Sequence, residues 1–381
     1  MLTLQFIDSI HRVAAAEWDA IVGGDYPFMR HAFLRALEDS GATCADTGWQ
    51  PQHLILCEGE ALCGVLPLYI KSHSYGEYVF DWAWADAYRR YGRDYYPKLL
   101  AAIPFTPATG PRLCLRADLD AEKVAAAVVA QLQARAEQLG ASSLHVLFST
   151  PAEAGQWQRA GLMQRIAPQY HWYNRDYRHF DDFLAGFSSR KRKNLRKERN
   201  TVADQGLRLE RLRGSAVSEA QWRFFFHCYQ QTYAKRSGHG GYLSEAFFQV
   251  IAKAMPEQLL LVLAYEGEVP VAAALNFEGA DTLFGRYWGC LREYDFLHFE
   301  ACYYQGIEHC IERGLKKFDP GAQGEHKIQR GFEPIVTYSH HWLADAGFSD
   351  AVARFLHTEE QHIGDYLQEA AALLPFKRAA D

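Results

Sequence analysis

The strongest constraint on how this chain folds is a pattern it uses twice. LILCEGEALCGVLPLYI (54–70) and LVLAYEGEVPVAAALNF (261–277) each read as an apolar run, a Glu-Gly-Glu turn and a second apolar run. An apolar run on each side of a glycine-containing turn is a β-hairpin signal. The 208 residues that separate Glu58 from Glu266 also separate Tyr95–Tyr96 from Tyr303–Tyr304. Two landmarks at one spacing point to an internal duplication. The 381 residues exceed one ordinary core. Two units are therefore expected, 1–175 and 176–381. No Pro- or Ser-rich linker divides them.

Within the first unit, residues 27–41 and 120–140 have helical spacing, with Asp120 as N-cap and Gly140 past the end of the second. Residues 76–85, 142–148 and 162–174 read as strands. The order then begins again. Residues 182–206 read as a helix, 206–214 as a strand, 218–238 and 244–255 as Ser-capped helices, 259–289 as a three-stranded meander and 299–314 as a helix. A short strand, 315–322, and a final helix near 349–373 follow. Strand, helices, antiparallel meander, helix, strand is a mixed α/β order, not the regular βαβ alternation of a doubly wound sheet.

Net charge is −6, so no global field draws the chain to nucleic acid or anionic lipid. The eight cysteines form no CxxC pair and read as small buried hydrophobes of a reducing compartment. The N-terminal MLTLQFIDSIHRV has no basic segment or long apolar stretch, and no run approaches the ~18 apolar residues of a membrane span. A cytoplasmic protein is expected. No metal is expected: His340-His341 have no acids at ligand spacing.

Three segments carry a resemblance: FDWAWADAYRRYGRDYYPKLLAAIPFTPATGPRL (80–113), HWYNRDYRHFDDFLAGFSSRKRKNLRKER (171–199) and FDPGAQGEHKIQRGFEP (318–334). With the meander–helix–strand order, they resemble the FemAB-like tandem-GNAT proteins, a group labelled peptidoglycan biosynthesis/recognition. The resemblance implies an α/β fold of two tandem GNAT-like domains. It also implies transfer of an acyl group to an amine, from acyl-CoA in GNAT enzymes or from aminoacyl-tRNA in the Fem group. The acceptor would be a small-molecule, peptide or glycan amine. The glycine-rich pyrophosphate loop of GNAT enzymes is poorly kept. The first unit offers Arg89 to Asp94 before an expected helix at Tyr95, and the second offers Arg286 to Gly289.

Four segments hold the candidate residues. In 318–334, Gly321 and Gly324 permit a tight turn, Glu325 or His326 could take the proton of an attacking amine, and Lys327 or Arg330 could balance phosphate or an oxyanion. In a strand, Glu325 and Lys327 would face one way and His326 the other. A charged edge strand is the bland alternative. Seven of the ten residues Arg190–Arg199 are basic. Behind Ser188 or Ser189, a helix starting with Arg190, Lys191 and Arg192 suits phosphates of CoA, a tRNA acceptor end or an acidic glycan. The alternative is a solvated basic face. In the proline-stiffened 104–113, Thr106 and Arg112 could hold a carboxylate or phosphate. In FGRYWG (284–289), Arg286, Tyr287 and Trp288 would lie at the donor groove, Arg286 supporting the oxyanion. Residues 80–88 are expected at the corresponding place, with Asp86 and Tyr88 at the groove, and His171 at a substrate-binding position. Aromatic core packing competes with these readings, and a non-catalytic glycan- or peptide-binding module is the other alternative.

Overall fold

The two Glu-Gly-Glu turns close hairpins of the same construction. In the computed structural model, which describes residues 2–322 and 324–377, β3 (His53–Glu58) pairs antiparallel with β4 (Ala61–Leu66), and β11 (Leu259–Glu266) with β12 (Val269–Glu278). Gly59 (φ 64°) and Gly267 (φ 60°) take the first turn position. A left-handed residue there lets a two-residue turn match the strands' twist. The register shifts at Leu56/Cys57 in one hairpin and at Ala264/Tyr265 in the other, again 208 residues apart. Each hairpin gains the same outer neighbour, β1 (Leu2–Ile7) on β3 and β10 (Leu207–Arg213) on β11. The second landmark fails. Tyr95 and Tyr96 lie in a loop before a strand, whereas Tyr303 and Tyr304 lie in a π-helical turn. Only the hairpin half of the spacing reports equivalent structure.

The chain divides into two compact units, residues 1–168 with 336–366 and residues 169–335 with 367–381. In the first, β1, β3, β4 and β7 (Cys114–Leu115) form one sheet. A second series of strands runs from the part of β15 (Glu333–Leu343) after Ile335 to β8 (Ser143–Ser149), β6 (Lys98–Ala101), β5 (Tyr69–Lys71) and β2 (Trp49–Pro51). Helices α1 (Ala15–Val22) and α2 (His31–Asp39) follow β1, α3 (Trp82–Arg90) follows β5, and α4 (Ala121–Leu139) and α5 (Pro151–Arg159) flank β8. Val124, Val128, Leu132 and Ala136 of α4 recur every four residues and are buried with Leu54, Leu56, Leu99, Leu144 and Trp157. Residues 76–85 are not a strand. Trp84 and Tyr88, four apart, are buried on one face of α3, while Tyr75, Phe80 and Trp82 are exposed. The apparent alternation mixed a loop with a helix turn.

The second unit orders its strands β10, β11, β12, β13 (Thr282–Cys290), β14 (Lys317–Asp319) and the part of β9 (Met163–Tyr173) from Gln169 on. Its helices are α6 (Phe180–Ala185), α7 (Ser189–Asp204), α8 (Glu219–Ser237), α9 (Glu245–Ala254), α10 (Leu297–Phe299) and α11 (Gln305–Arg313). The last helix, α12 (Ala346–Ala372), continues from the first unit's residues into the second's. Seven consecutive residues of β11, Leu259–Tyr265, are buried, the sign of a strand covered on both faces. Gly289 lets α8 approach: a Cβ there would lie 2.0 Å from the Cys228 carbonyl oxygen. The expected single helix 182–206 is two, broken at Gly186–Ser188, where Phe187 forms a β-bridge to Phe376. This is the mixed α/β, tandem GNAT-like architecture. All eight cysteines are free. Among the described residues no helix is long and apolar enough to cross a membrane, and no cluster of three metal-ligating side chains occurs.

Candidate active site

The site of interest forms where two parallel strands of the second unit stop pairing. β13 and β14 are in register from Thr282–Lys317 to Phe284–Asp319, and no ladder pair follows. On its other side β13 pairs with β12 through a bulge: Asn276 faces Gly285 and Leu275 faces Tyr287, so Arg286 is the extra residue. Bulges re-aim side chains. Here the Arg286 guanidinium donates to Asp319 Oδ2 (2.8 Å) and to the Gly285 carbonyl (2.7 Å). Both side chains of the pair are buried, 2% and 1% exposed. Asp319 Oδ1 accepts the Gly321 N–H (2.9 Å) and lies 3.7 Å from His171 Nε2. Burial alone would raise the Asp319 carboxyl, but Arg286, His171 and the Gly321 amide outweigh it and hold it well below the usual range. Burial lowers His171 to about 4, so its ring is neutral at pH 7.

Residues Glu325–Arg330 form a 3₁₀ helix, not a strand. The expected alternation is replaced by another division: Glu325 and His326 are exposed, Lys327 and Arg330 buried. Gly324 (φ 114°) and Gly331 (φ 83°) bracket the turn in conformations that exclude most side chains. Lys327 Nζ donates to the Gly321 carbonyl (2.6 Å). Burial lowers Lys327 to about 8, with Asp319 pulling the other way. His326 Nε2 is 2.8 Å from the Tyr303 hydroxyl, and its ring lies beside Phe299. Partial burial of its ring beside Phe299 and Tyr303, then Arg330 and Lys327, bring His326 to about 4, although the residue as a whole stays exposed. Arg330 bonds Glu198 through Nη2 (2.8 Å) and Nε (3.1 Å), donates to the His326 carbonyl (2.7 Å) and lies 3.4 Å over the Phe299 ring. It clamps the turn to α7. Tyr303 belongs to the π-turn Glu300–Tyr304 between α10 and α11, a distortion common at functional sites.

Helix α7 starts at Ser189, and Ser188 at its N-cap makes no side-chain cap bond. Arg190 is exposed and Arg192 half-buried, while Lys191 bonds the Gln329 side chain. The outward face of the helix carries Arg192, Lys193, Arg196 and Lys197. Two residues inside the basic run face the protein instead: Glu198 holds Arg330, and Arg199 pairs with Glu300 (2.8 Å) and Glu308 (2.6 Å). Tyr287 is buried against Tyr229 and Phe248, and Trp288 packs on His298.

The first-unit candidates have other tasks. Arg112 is fully buried and donates to the carbonyls of Leu147, Gly110, Pro111 and Ala108 (2.7–3.0 Å). It ties its own loop together, in place of the expected anion. Buried Thr106 donates to the Pro104 carbonyl (3.0 Å), and Tyr88 stacks on Phe348 at 4.0 Å. Asp86 pairs with Arg89 at the surface. Residues 80–88 are therefore no counterpart of strand 284–289. Arg89 and Arg90 end α3 and precede no helix.

Free amides at a helix start hold phosphate groups. The helix after β7 has these amides occupied: the Asp120 carboxylate accepts from the Glu122 and Lys123 N–H groups (both 3.2 Å). The turn before α10 has no glycine and carries Glu293 and Asp295, with Gln205 holding both the Asp295 N–H and its carbonyl.

Sequence reasoning missed Asp319, the centre of the cluster. Its one signal was an acid ending a short strand ahead of Pro-Gly. It also missed Glu198, hidden by its basic neighbours.

The FemAB-like family profile, described as peptidoglycan biosynthesis/recognition, matches residues 9–378. No curated protein sequence matches the chain. Similar solved structures include FemX (12% identity, 90% of this chain and 98% of that one, TM-score 0.54). Another is the C-terminal domain of a putative lysylphosphatidylglycerol synthetase from Agrobacterium fabrum (12%, 91% and 95%, 0.54). A third is a tandem GNAT protein from the clavulanic acid biosynthesis pathway (10%, 91% and 99%, 0.51). At these identities the structures speak for the fold alone. With the profile spanning nearly its whole length, this chain belongs to the FemAB-like family.

Proposed function

We propose that this protein is an N-acyltransferase that moves an activated acyl group, carried as an ester on a polyanion such as charged tRNA, to the amine of a peptide or glycan. The carrying observation is the cluster at the end of the β13–β14 ladder, where Lys327 lies on a turn anchored by Asp319, Gly321 and Arg286. The amine nitrogen attacks the ester carbonyl carbon, the C–O bond breaks, and the leaving oxygen takes up a proton. Lys327, cationic below its value of about 8, would balance the oxyanion as charge develops. Arg286 is committed to Asp319 and would act by positioning the Gly321 turn. His326, neutral at pH 7 and exposed, would take the amine proton directly or through water, with Glu325 beside it. The exposed cationic face of α7 would hold the carrier's phosphates. The Asp120 carboxylate on the amides that open α4 supports such a carrier over acyl-CoA.

The test is incubation with a labelled aminoacyl-tRNA, or separately with acetyl-CoA, and a peptidoglycan-type peptide carrying a free amine, read by mass spectrometry. Amide product from the charged tRNA, lost in Lys327→Met, is expected. Product from acetyl-CoA alone contradicts the choice of donor. Product from neither contradicts the acyltransferase reading.

A further inference from the structure

The first unit buries two lysine side chains side by side, Lys98 held cationic by its acids and Lys71 lowered to about 7 by burial. Lys71 and Lys98 stand directly opposite each other in the β5–β6 ladder, and neither side chain is exposed. Like charges opposed across antiparallel strands repel, and burial strips them of water. One acid bridges them: Glu77 Oε2 is 2.8 Å from Lys98 Nζ, and Glu77 Oε1 is 3.9 Å from Lys71 Nζ. Asp81 also bonds Lys98, and the Tyr95 hydroxyl fixes that carboxylate at 2.7 Å.

The two acids are held differently. Asp81 directly precedes α3, and Arg165 Nη1 grips the neighbouring Phe80 carbonyl (2.8 Å). Glu77 sits in the middle of residues 72–81, which have no regular secondary structure. That segment is held by the Ser72 N–H to the Gly48 carbonyl (3.3 Å), His73 Nε2 to the Thr47 carbonyl (2.9 Å), Trp49 Nε1–H to the Tyr75 carbonyl and the Phe105 N–H to the Gly76 carbonyl (both 3.2 Å), and by Ser74 Oγ, which meets the Tyr96 hydroxyl and accepts from Lys98 (both 2.8 Å). Tyr75 and Phe80 point outward, each 56% exposed.

Glu77 fills its place incompletely. Its Oε1 makes no hydrogen bond although the residue is 4% exposed. Lys71 reaches only long partners, His73 Nδ1 and the Tyr75 carbonyl (both 3.4 Å), and otherwise lies over the Trp49 ring at 3.8 Å. A carboxylate spans the two ammoniums poorly. A phosphoryl group is wider, carries more charge and has three oxygens to offer.

We propose that the Lys71–Lys98 pair is an anion-binding site in which Glu77 stands in for a phosphoryl dianion, and that such a ligand enters by displacing the segment around Glu77. The site lies within the first unit and is independent of the acyl-transfer reading.

Glu77→Gln removes the stand-in charge and keeps its shape. Calorimetry with inorganic phosphate, against chloride at equal ionic strength, should show at least tenfold tighter binding to Glu77→Gln than to wild type. Saturating phosphate should raise the Tm of the variant by roughly 5 °C or more. Lys71→Met added to Glu77→Gln should abolish both effects. Gly76→Ala is the second route, should Glu77→Gln fold poorly. A Cβ at Gly76 would lie 2.6 Å from the Phe105 ring, so it pushes the segment off its seat with Glu77 intact. It too should tighten phosphate binding. Phosphate binding no stronger than chloride in both variants overturns the proposal and makes the cluster closed core. Acetate or succinate serving as well as phosphate overturns the phosphoryl assignment.

Discussion

Arg286 and Asp319 meet where the β13–β14 ladder ends, 2.8 Å apart and both out of water. Removing one partner of such a pair leaves the other charge buried and alone, which costs about 3–5 kcal/mol. Asp319→Ala is expected to lose stability on that scale in urea denaturation, and Arg286→Ala comparably. Because the folded carboxyl is held low, this contribution is present above the unfolded value near pH 4. It is lost as pH falls further, through the folded value.

Lys327 offers a pH signature. Its ammonium is lowered to about 8, burial being the main cause. If the cation is needed, turnover is flat below that value and falls as pH rises through it. Lys327→Arg keeps a charge that does not titrate there, so its residual rate should stay level to higher pH. Lys327→Met should cost roughly 100-fold in kcat. A pH–rate profile of wild type and Lys327→Arg checks this.

Buried and half-buried histidines predict acid sensitivity. His145 and His298 are lowered to about 3, His171 and His340 to about 4, each chiefly by burial. In the unfolded chain they titrate near 6.5. Between pH ~6.5 and ~4 the unfolded state binds protons that the folded state refuses, so stability falls with pH, by up to ~1.4 kcal/mol per unit for each group. Urea midpoints measured from pH 7.5 to 4.5 should decline monotonically.

The duplicated turns should respond alike. Gly59 and Gly267 are left-handed, and a Cβ added at either would have no atom within 4 Å, so Ala at either position meets backbone strain and no clash. Each substitution should cost about 1 kcal/mol, and the two should match within error in thermal melts.

The hairpins, the capped helices and the mixed order were legible because each rests on local pattern: turn glycines, Ser caps, runs of Leu and Val. The site was legible only in part. Gly321, Lys327 and Arg330 advertised themselves by type and spacing. The 3₁₀ turn that buries Lys327 and Arg330 while exposing His326 depends on Glu198 and Phe299, more than 25 residues away in sequence. Asp319 looked like an ordinary strand end, since its partner Arg286 is aimed by a bulge that no period-2 pattern reveals. Arg112 misled for the converse reason. A buried guanidinium serving four carbonyls looks, in sequence, like one waiting for an anion.

The most direct test of the account is single-turnover transfer from a labelled aminoacyl-tRNA to a peptide amine, comparing wild type with Lys327→Met at matched folded fraction. The account predicts amide formation by wild type and a loss of about 100-fold in the variant, with tRNA binding retained. Equal rates in the two proteins would contradict it and move the chemistry away from the end of the β13–β14 ladder.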